Sequence, residues 1–147
     1  MPDPNAQTLD QALDWVRGAD NGGLFLDTWH VENMEGITHA DVASLDANDI
    51  VGVELSDGLV IEPRPTDYVD SVGFPSFREQ AANMRRIPGE GDFDVVGFIR
   101  AVARTGYKGP WGNEILSEEY RRLPMEVAYR RVFTASMAIL DQSLARN

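Results

Sequence analysis

Three short apolar runs in this chain of 147 residues each lead to a carboxylic acid. Leu24-Phe25-Leu26 leads to Asp27, Ile50-Val51-Gly52-Val53 to Glu54, and Trp111-Gly112-Asn113 to Glu114. Runs of this length, set off by Gly22-Gly23, Ser56-Asp57-Gly58 and Gly109-Pro110, suit strands of a parallel sheet, and the first suits a strand buried on both faces. Parallel strands point their carboxyl ends the same way, so acids at those ends converge on one side of the sheet. Three carboxylates in one place repel one another unless a cation sits between them or two of them share a proton. The competing reading leaves each acid solvated at its own strand end. Glu54, inside a β-rich run, is costly to bury without a partner. His30, three residues after Asp27, adds a ring nitrogen within reach of the first acid.

The elements that must carry these groups alternate along the chain. Thr8-Leu9-Asp10-Gln11 has the form of a capping box and predicts a helix to Arg17, with Leu9, Leu13, Trp15 and Val16 on its apolar side. Thr38 caps a short helix to about Leu45. Asp92 is expected to cap a helix to about Thr105, with Val95, Val96, Phe98, Ile99 and Val102 facing inward. Met125 to Leu144 reads as a long amphipathic helix with Val132, Met137, Ile139 and Leu140 on its stripe. Residues 1–7 read as a disordered start. Residues 59–91, broken by four prolines and holding one short helix from Ser76 to Met84, read as a long loop over the site. Strand and helix in alternation argue a parallel α/β layout.

Composition narrows the chemistry. The chain has no cysteine, so a metal site must use carboxylate, imidazole or amide ligands. Such ligands suit Mg or Mn, with Co or Zn where a histidine joins. The net charge of −11 repels a phosphate backbone, which argues against nucleic acid as a partner. No apolar run approaches the roughly 20 residues of a membrane span. Met1-Pro2-Asp3-Pro4-Asn5 has neither the basic nor the apolar region of a signal peptide, and a cytoplasmic location is expected.

The four motif stretches, taken in order, resemble the xylose isomerase-like TIM-barrel superfamily of sugar phosphate isomerases and epimerases. Gly23-Leu24-Phe25-Leu26-Asp27-Thr28-Trp29-His30 looks like that family's fifth-strand motif. Val53-Glu54-Leu55-Ser56-Asp57 looks like its sixth-to-seventh-strand motif. Arg86-Ile87-Pro88-Gly89-Glu90-Gly91-Asp92 is similar to its glycine-rich loop, and Gly106-Tyr107-Lys108-Gly109-Pro110-Trp111-Gly112-Asn113-Glu114 to its final strand. The resemblance implies that residues 1–147 form the C-terminal half of a (β/α)8 barrel, about the last four βα units. A complete barrel has eight strands and about 250 residues.

The resemblance also implies roles. Asp27, Glu54 and Glu114 would hold a divalent metal, and Glu114 would in addition move a proton. His30 would touch the substrate or a second metal, and Trp29 and Arg85 or Arg86 would bind the substrate. A divalent ion that chelates the carbonyl and neighbouring hydroxyl of a sugar or polyol stabilises the enediolate formed on proton loss, and a carboxylate can take and return that proton. An isomerase or epimerase, or the half of one, is the leading expectation. The family's remaining metal-binding acid belongs to the fourth strand, so the chain is expected to self-associate or to pair with a complementary half-barrel. The alternative is a non-catalytic remnant that binds a partner. A polyol or keto-acid dehydratase and an apurinic endonuclease share the scaffold. The endonuclease needs further histidine ligands just before the glycine-rich loop, where this chain has Asn83-Met84-Arg85.

Overall fold

The computed structural model describes residues 6, 8–60 and 77–145. The expected disordered start falls almost wholly outside these residues, as does the middle of the expected loop, residues 61–76. Helix α1 (Leu9–Arg17) leads to strand β1 (Leu24–Asp27), and α2 (Thr28–Asn33) follows without a loop. Then come α3 (His39–Ala43), β2 (Ile50–Leu55), α4 (Phe77–Asn83), α5 (Val95–Arg104), β3 (Trp111–Asn113) and α6 (Met125–Leu144). The three strands form one sheet in the order β1-β2-β3, both pairs parallel. This is an α/β fold with an open parallel sheet, consistent with part of a TIM barrel. Among the described residues three strands form; the expectation was about four strand–helix units. Between β2 and β3 the described residues 84–86 add only isolated bridges, Asp57 with Arg86 and Met84 with Ser117.

The register explains both faces of the sheet. Leu26, Val53 and Trp111 are neighbours across the strands, as are Asp27, Glu54 and Gly112. Successive side chains alternate between faces, so the first set faces the helices and the second lies on the opposite side with the acids. The helix side carries the core: Leu24, Leu26, Val53 and Leu55 pack with Val42 of α3 and with Val95, Phe98, Ile99 and Val102 of α5. Phe25 corrects the expectation of a strand buried on both faces. It lies on the acid side, is 59% exposed, and its ring covers Gly52 so closely that a Cβ there would come within 2.4 Å of it. Val51 is the extra residue where the register shifts, and it too is exposed.

Two helices depart from expectation for identifiable reasons. The cap of α5 is Asp94, whose carboxylate accepts from Gly97 N at 2.8 Å. The Asp92 carboxylate instead accepts from Val60 N at 3.2 Å. On α6 Ile139 and Leu140 of the expected stripe pack against the core and Val132 is half-buried, but Met137 is exposed and the fully buried positions are Ser136 and Ser143. Ser136 sits inward because its hydroxyl donates to Asn113 Oδ1 at the end of β3, at 2.6 Å. No helix among the described residues is long and apolar enough to cross a membrane.

Phe98 is fully buried at the centre of the core. Phe98→Ala is expected to lower stability by about 3–5 kcal/mol through lost transfer energy and a cavity. Urea denaturation measures it, and a loss below about 1 kcal/mol would mean that the core does not close around this ring.

Candidate metal centre

Asp27 ends β1 and also starts α2. Its Oδ1 accepts from Trp29 N at 2.8 Å, which caps the helix. That geometry turns the chain sharply at the carboxyl end of the strand and leaves Oδ2 facing the acid side. Thr28 ties the turn to β2 by donating to the Glu54 backbone oxygen at 3.1 Å. Glu54 stands beside Asp27 in register. Glu114 lies just past β3, where its N–H donates to Leu55 O at 3.3 Å. The strand stops at Asn113, which sets Glu114 at the strand ends. One oxygen from each of Asp27, Glu54 and Glu114 lies within 4.8 Å of the others.

The electrostatics match the geometry. The Glu54 carboxyl is held above its usual range by burial first, then by the negative charges of Glu114 and Asp27. Arg85 acts the other way. Burial also lowers the pKa of His30 against the pull of Asp27, which favours a neutral imidazole. His30 Nε2 lies 3.5 Å from Asp27 Oδ2, and its ring meets Trp29 edge-on with centroids 5.6 Å apart. Trp29 is almost fully buried beneath the site.

Arg85 joins this cluster and Arg86 does not. Arg85 Nη1 is 2.7 Å from Asp27 Oδ2 and Nη2 is 2.9 Å from Glu114 Oε2. Arg86 points away and pairs with Glu119 at 2.9 Å. The expected substrate contacts thus divide: Trp29, His30 and Arg85 surround the acids, while Arg86 serves the outer side of the loop. Arg121 pairs with Glu118 at 2.9 Å.

Asp57 was legible in the sequence as part of a turn and as the end of a family-like stretch, and it also organises the loop that follows. Its carboxylate, 1% exposed, accepts from Gly58 N, Phe93 N and Gly89 N at 2.8, 3.1 and 2.9 Å. Its backbone exchanges two hydrogen bonds with Arg86. Gly91 passes so close that a Cβ would lie 2.4 Å from Asp57 Oδ1 and 2.3 Å from Gly58 O. The same loop is held to α6 and to the turn before it: Tyr120 of that turn donates its hydroxyl to Glu90, and Arg131 of α6 pairs with Glu90 at 3.1 Å while lying over the Tyr120 ring. Burial, with the Glu90 contact, pushes the Tyr120 phenol up to about 12.

The donor set fits a hard divalent ion. It offers three carboxylates and no thiolate, with a backbone that fixes each acid from a different strand end.

The chain belongs to the xylose isomerase-like TIM-barrel family, whose model matches residues 1–137. Among curated relatives it is similar to a 3-dehydroshikimate dehydratase of Pseudomonas aeruginosa, 33% identical over 119 residues. A protein of the same name from Pseudomonas putida is 27% identical over 122 residues. These matches cover 80% and 82% of this chain but 17% of each relative's length. Among solved structures it resembles an IOLI protein described with a binding zinc atom, with a TM-score of 0.75 at 22% identity. It also resembles a xylose isomerase domain protein from Alicyclobacillus acidocaldarius, with a TM-score of 0.71 at 24% identity. Those two matches cover 95% and 97% of this chain and 46% of each solved chain. The chain therefore spans less than half the length of the proteins it matches.

Two outcomes follow from this geometry. Asp57→Asn sets an amide N–H₂ against backbone donors and is expected to cost about 2–3 kcal/mol; an unchanged urea midpoint would contradict the hub. Tyr120 has a folded pKa raised above its unfolded value near 10, so its stabilising effect is complete below about pH 10 and is lost as pH rises towards 12. Tyr120→Phe should flatten the fall in urea midpoint between those pH values. Parallel curves for the two proteins would remove that role.

Proposed function

We propose that this chain carries the metal-binding side of an enzyme that removes a proton beside a carbonyl in a small polyhydroxylated substrate. The observation that carries the reading is the convergence of Asp27, Glu54 and Glu114 at the ends of three parallel strands. In a (β/α)8 enzyme that is where chemistry is done. A divalent ion, with Mn or Mg the leading choices, would supply Lewis-acid polarisation of the substrate oxygen when bound. The zinc named for the IOLI protein supports a divalent ion of this class.

The chain's own residues supply the remaining parts. Glu114, whose side chain is 38% exposed where that of Asp27 is 8%, is the group that takes the proton. Neutral His30, half-exposed beside Asp27, offers a hydrogen bond to a substrate hydroxyl. Trp29 forms a rigid apolar floor under His30 and Arg85. Further ligands come from a complementary half-barrel, in the same polypeptide or in a second copy.

Elimination of water is the first reaction to test, because both curated relatives are named as dehydratases. Isomerisation or epimerisation begins with the same proton removal, and the sequence resemblance favours it. The net charge of −11 speaks against nucleic acid as a substrate.

Calorimetric titration of Mn²⁺ into the metal-stripped chain is the direct test. Micromolar affinity, about 8 kcal/mol, is expected, with both Asp27→Asn and Glu114→Gln abolishing it. The loaded protein is then given 3-dehydroshikimate in deuterated solvent. Loss of water supports the dehydratase, and deuterium exchange beside the carbonyl without loss of water supports the isomerase. Binding indifferent to both substitutions would sink the metal site.

A further inference from the structure

The acid cluster already contains a cation. Arg85 is 2% exposed, and its two terminal nitrogens bind different acids, Asp27 at 2.7 Å and Glu114 at 2.9 Å. Contacts independent of the acids also hold the guanidinium. Its Nε donates to Ala81 O at 2.9 Å, and its carbon lies 5.5 Å from the centre of the Trp29 ring. The backbone beneath it is tethered on both sides, Arg85 N to Leu116 O at 3.1 Å and Arg86 N to Asp57 O at 2.8 Å. The group is built in rather than swung in from solvent.

We propose that Arg85 is a resident counter-cation that limits the centre to one divalent ion, by occupying the edge of Asp27 and Glu114 that a second metal ion would share. This inference rests on the reading that Asp27, Glu54 and Glu114 hold a metal. Three carboxylates and one guanidinium leave a formal charge of two minus, which a single dication neutralises. A second dication would add two uncompensated positive charges next to a guanidinium that Ala81 O and Trp29 keep in place. Like charges at such distances repel strongly in a partly buried site. Asp27 and Glu114 each give one oxygen to Arg85, Oδ2 and Oε2, so those oxygens already face a positive charge. Arg85 is thus a positioning residue: it holds two ligands apart, weakens the pull on the first ion and excludes the next.

The test is Mn²⁺ titration of metal-stripped wild type, Arg85→Gln and Arg85→Lys, read by calorimetry and by electron paramagnetic resonance. Wild type is expected to take one ion per chain. Arg85→Gln should bind the first ion at least roughly tenfold more tightly and take up a second, with a spin-coupled signal. Arg85→Lys keeps the charge and should stay at one ion. If Arg85→Gln is unfolded without metal, Mn²⁺ restores its near-ultraviolet circular dichroism under this inference, and failure to do so overturns it. Binding by Arg85→Gln where wild type binds none overturns the inference, because Arg85 then excludes the first ion and not the second. One ion at unchanged or weaker affinity in Arg85→Gln, or two in wild type, overturns it and leaves the metal centre standing. No binding by either protein removes the metal reading and the inference together.

Discussion

Three carboxylates held within 4.8 Å repel one another, and much of the surrounding structure answers that repulsion. Strand register alone would bring Asp27 and Glu54 side by side and leave both charges bare. Their environments are instead made unequal. Asp27 is buried and takes a backbone N–H and a guanidinium. Glu114 keeps one face to solvent and shares the same guanidinium. Glu54 receives neither, and burial together with the charges of Glu114 and Asp27 pushes its carboxyl upward. A cation is the natural occupant of the space between them, because it offsets the term that the fold leaves unbalanced.

The support for this arrangement runs outward in layers. Arg85 can reach both acids only because its backbone lies between the ends of β2 and β3, hydrogen-bonded towards Asp57 on one side and Leu116 on the other. Asp57 in turn collects three backbone donors from the glycine-rich loop, and Gly91 makes room for its carboxylate. Arg131 fastens Glu90 of that loop to the last helix, and Tyr120 fastens it to the turn before that helix. The loop therefore acts as a buttress for the cluster, with few degrees of freedom of its own.

Much of this was legible in the sequence, and the gaps have physical causes. An acid at the end of a short apolar run is a local signal, so Asp27, Glu54 and Glu114 could be brought together by topology alone. The Thr8 and Thr38 caps are local too, and both form. Phe25 was misjudged because a continuous apolar run does not say which face a partner covers. Asp92 and Asp94 are both good caps, and the choice between them was made by Val60, a residue distant in sequence. On α6 the stripe held at Ile139 and Leu140, while Ser136 took an inward position because Asn113 offered a polar partner. Arg85 was legible as a site residue, but its contact with two acids depends on bridges that join distant segments. No period or cap signal encodes those bridges.

The double engagement of Asp27 bears on how descent in such a fold should be read. One oxygen of this acid starts a helix and the other faces the cluster, so the folding requirement and the chemical requirement fall on a single side chain. A lineage that lost its chemistry would still be selected to keep an acceptor at this position. Among the described residues, Glu54 and Glu114 accept no backbone N–H through their side chains. Glu114 keeps a folding contact only through its pair with the buried Arg85, and Glu54 has no such contact to protect it from drift once the reaction is gone. Retention of Asp27 across distant copies would therefore record ancestry and foldability, whereas retention of Glu54 and Glu114 together would record continued use.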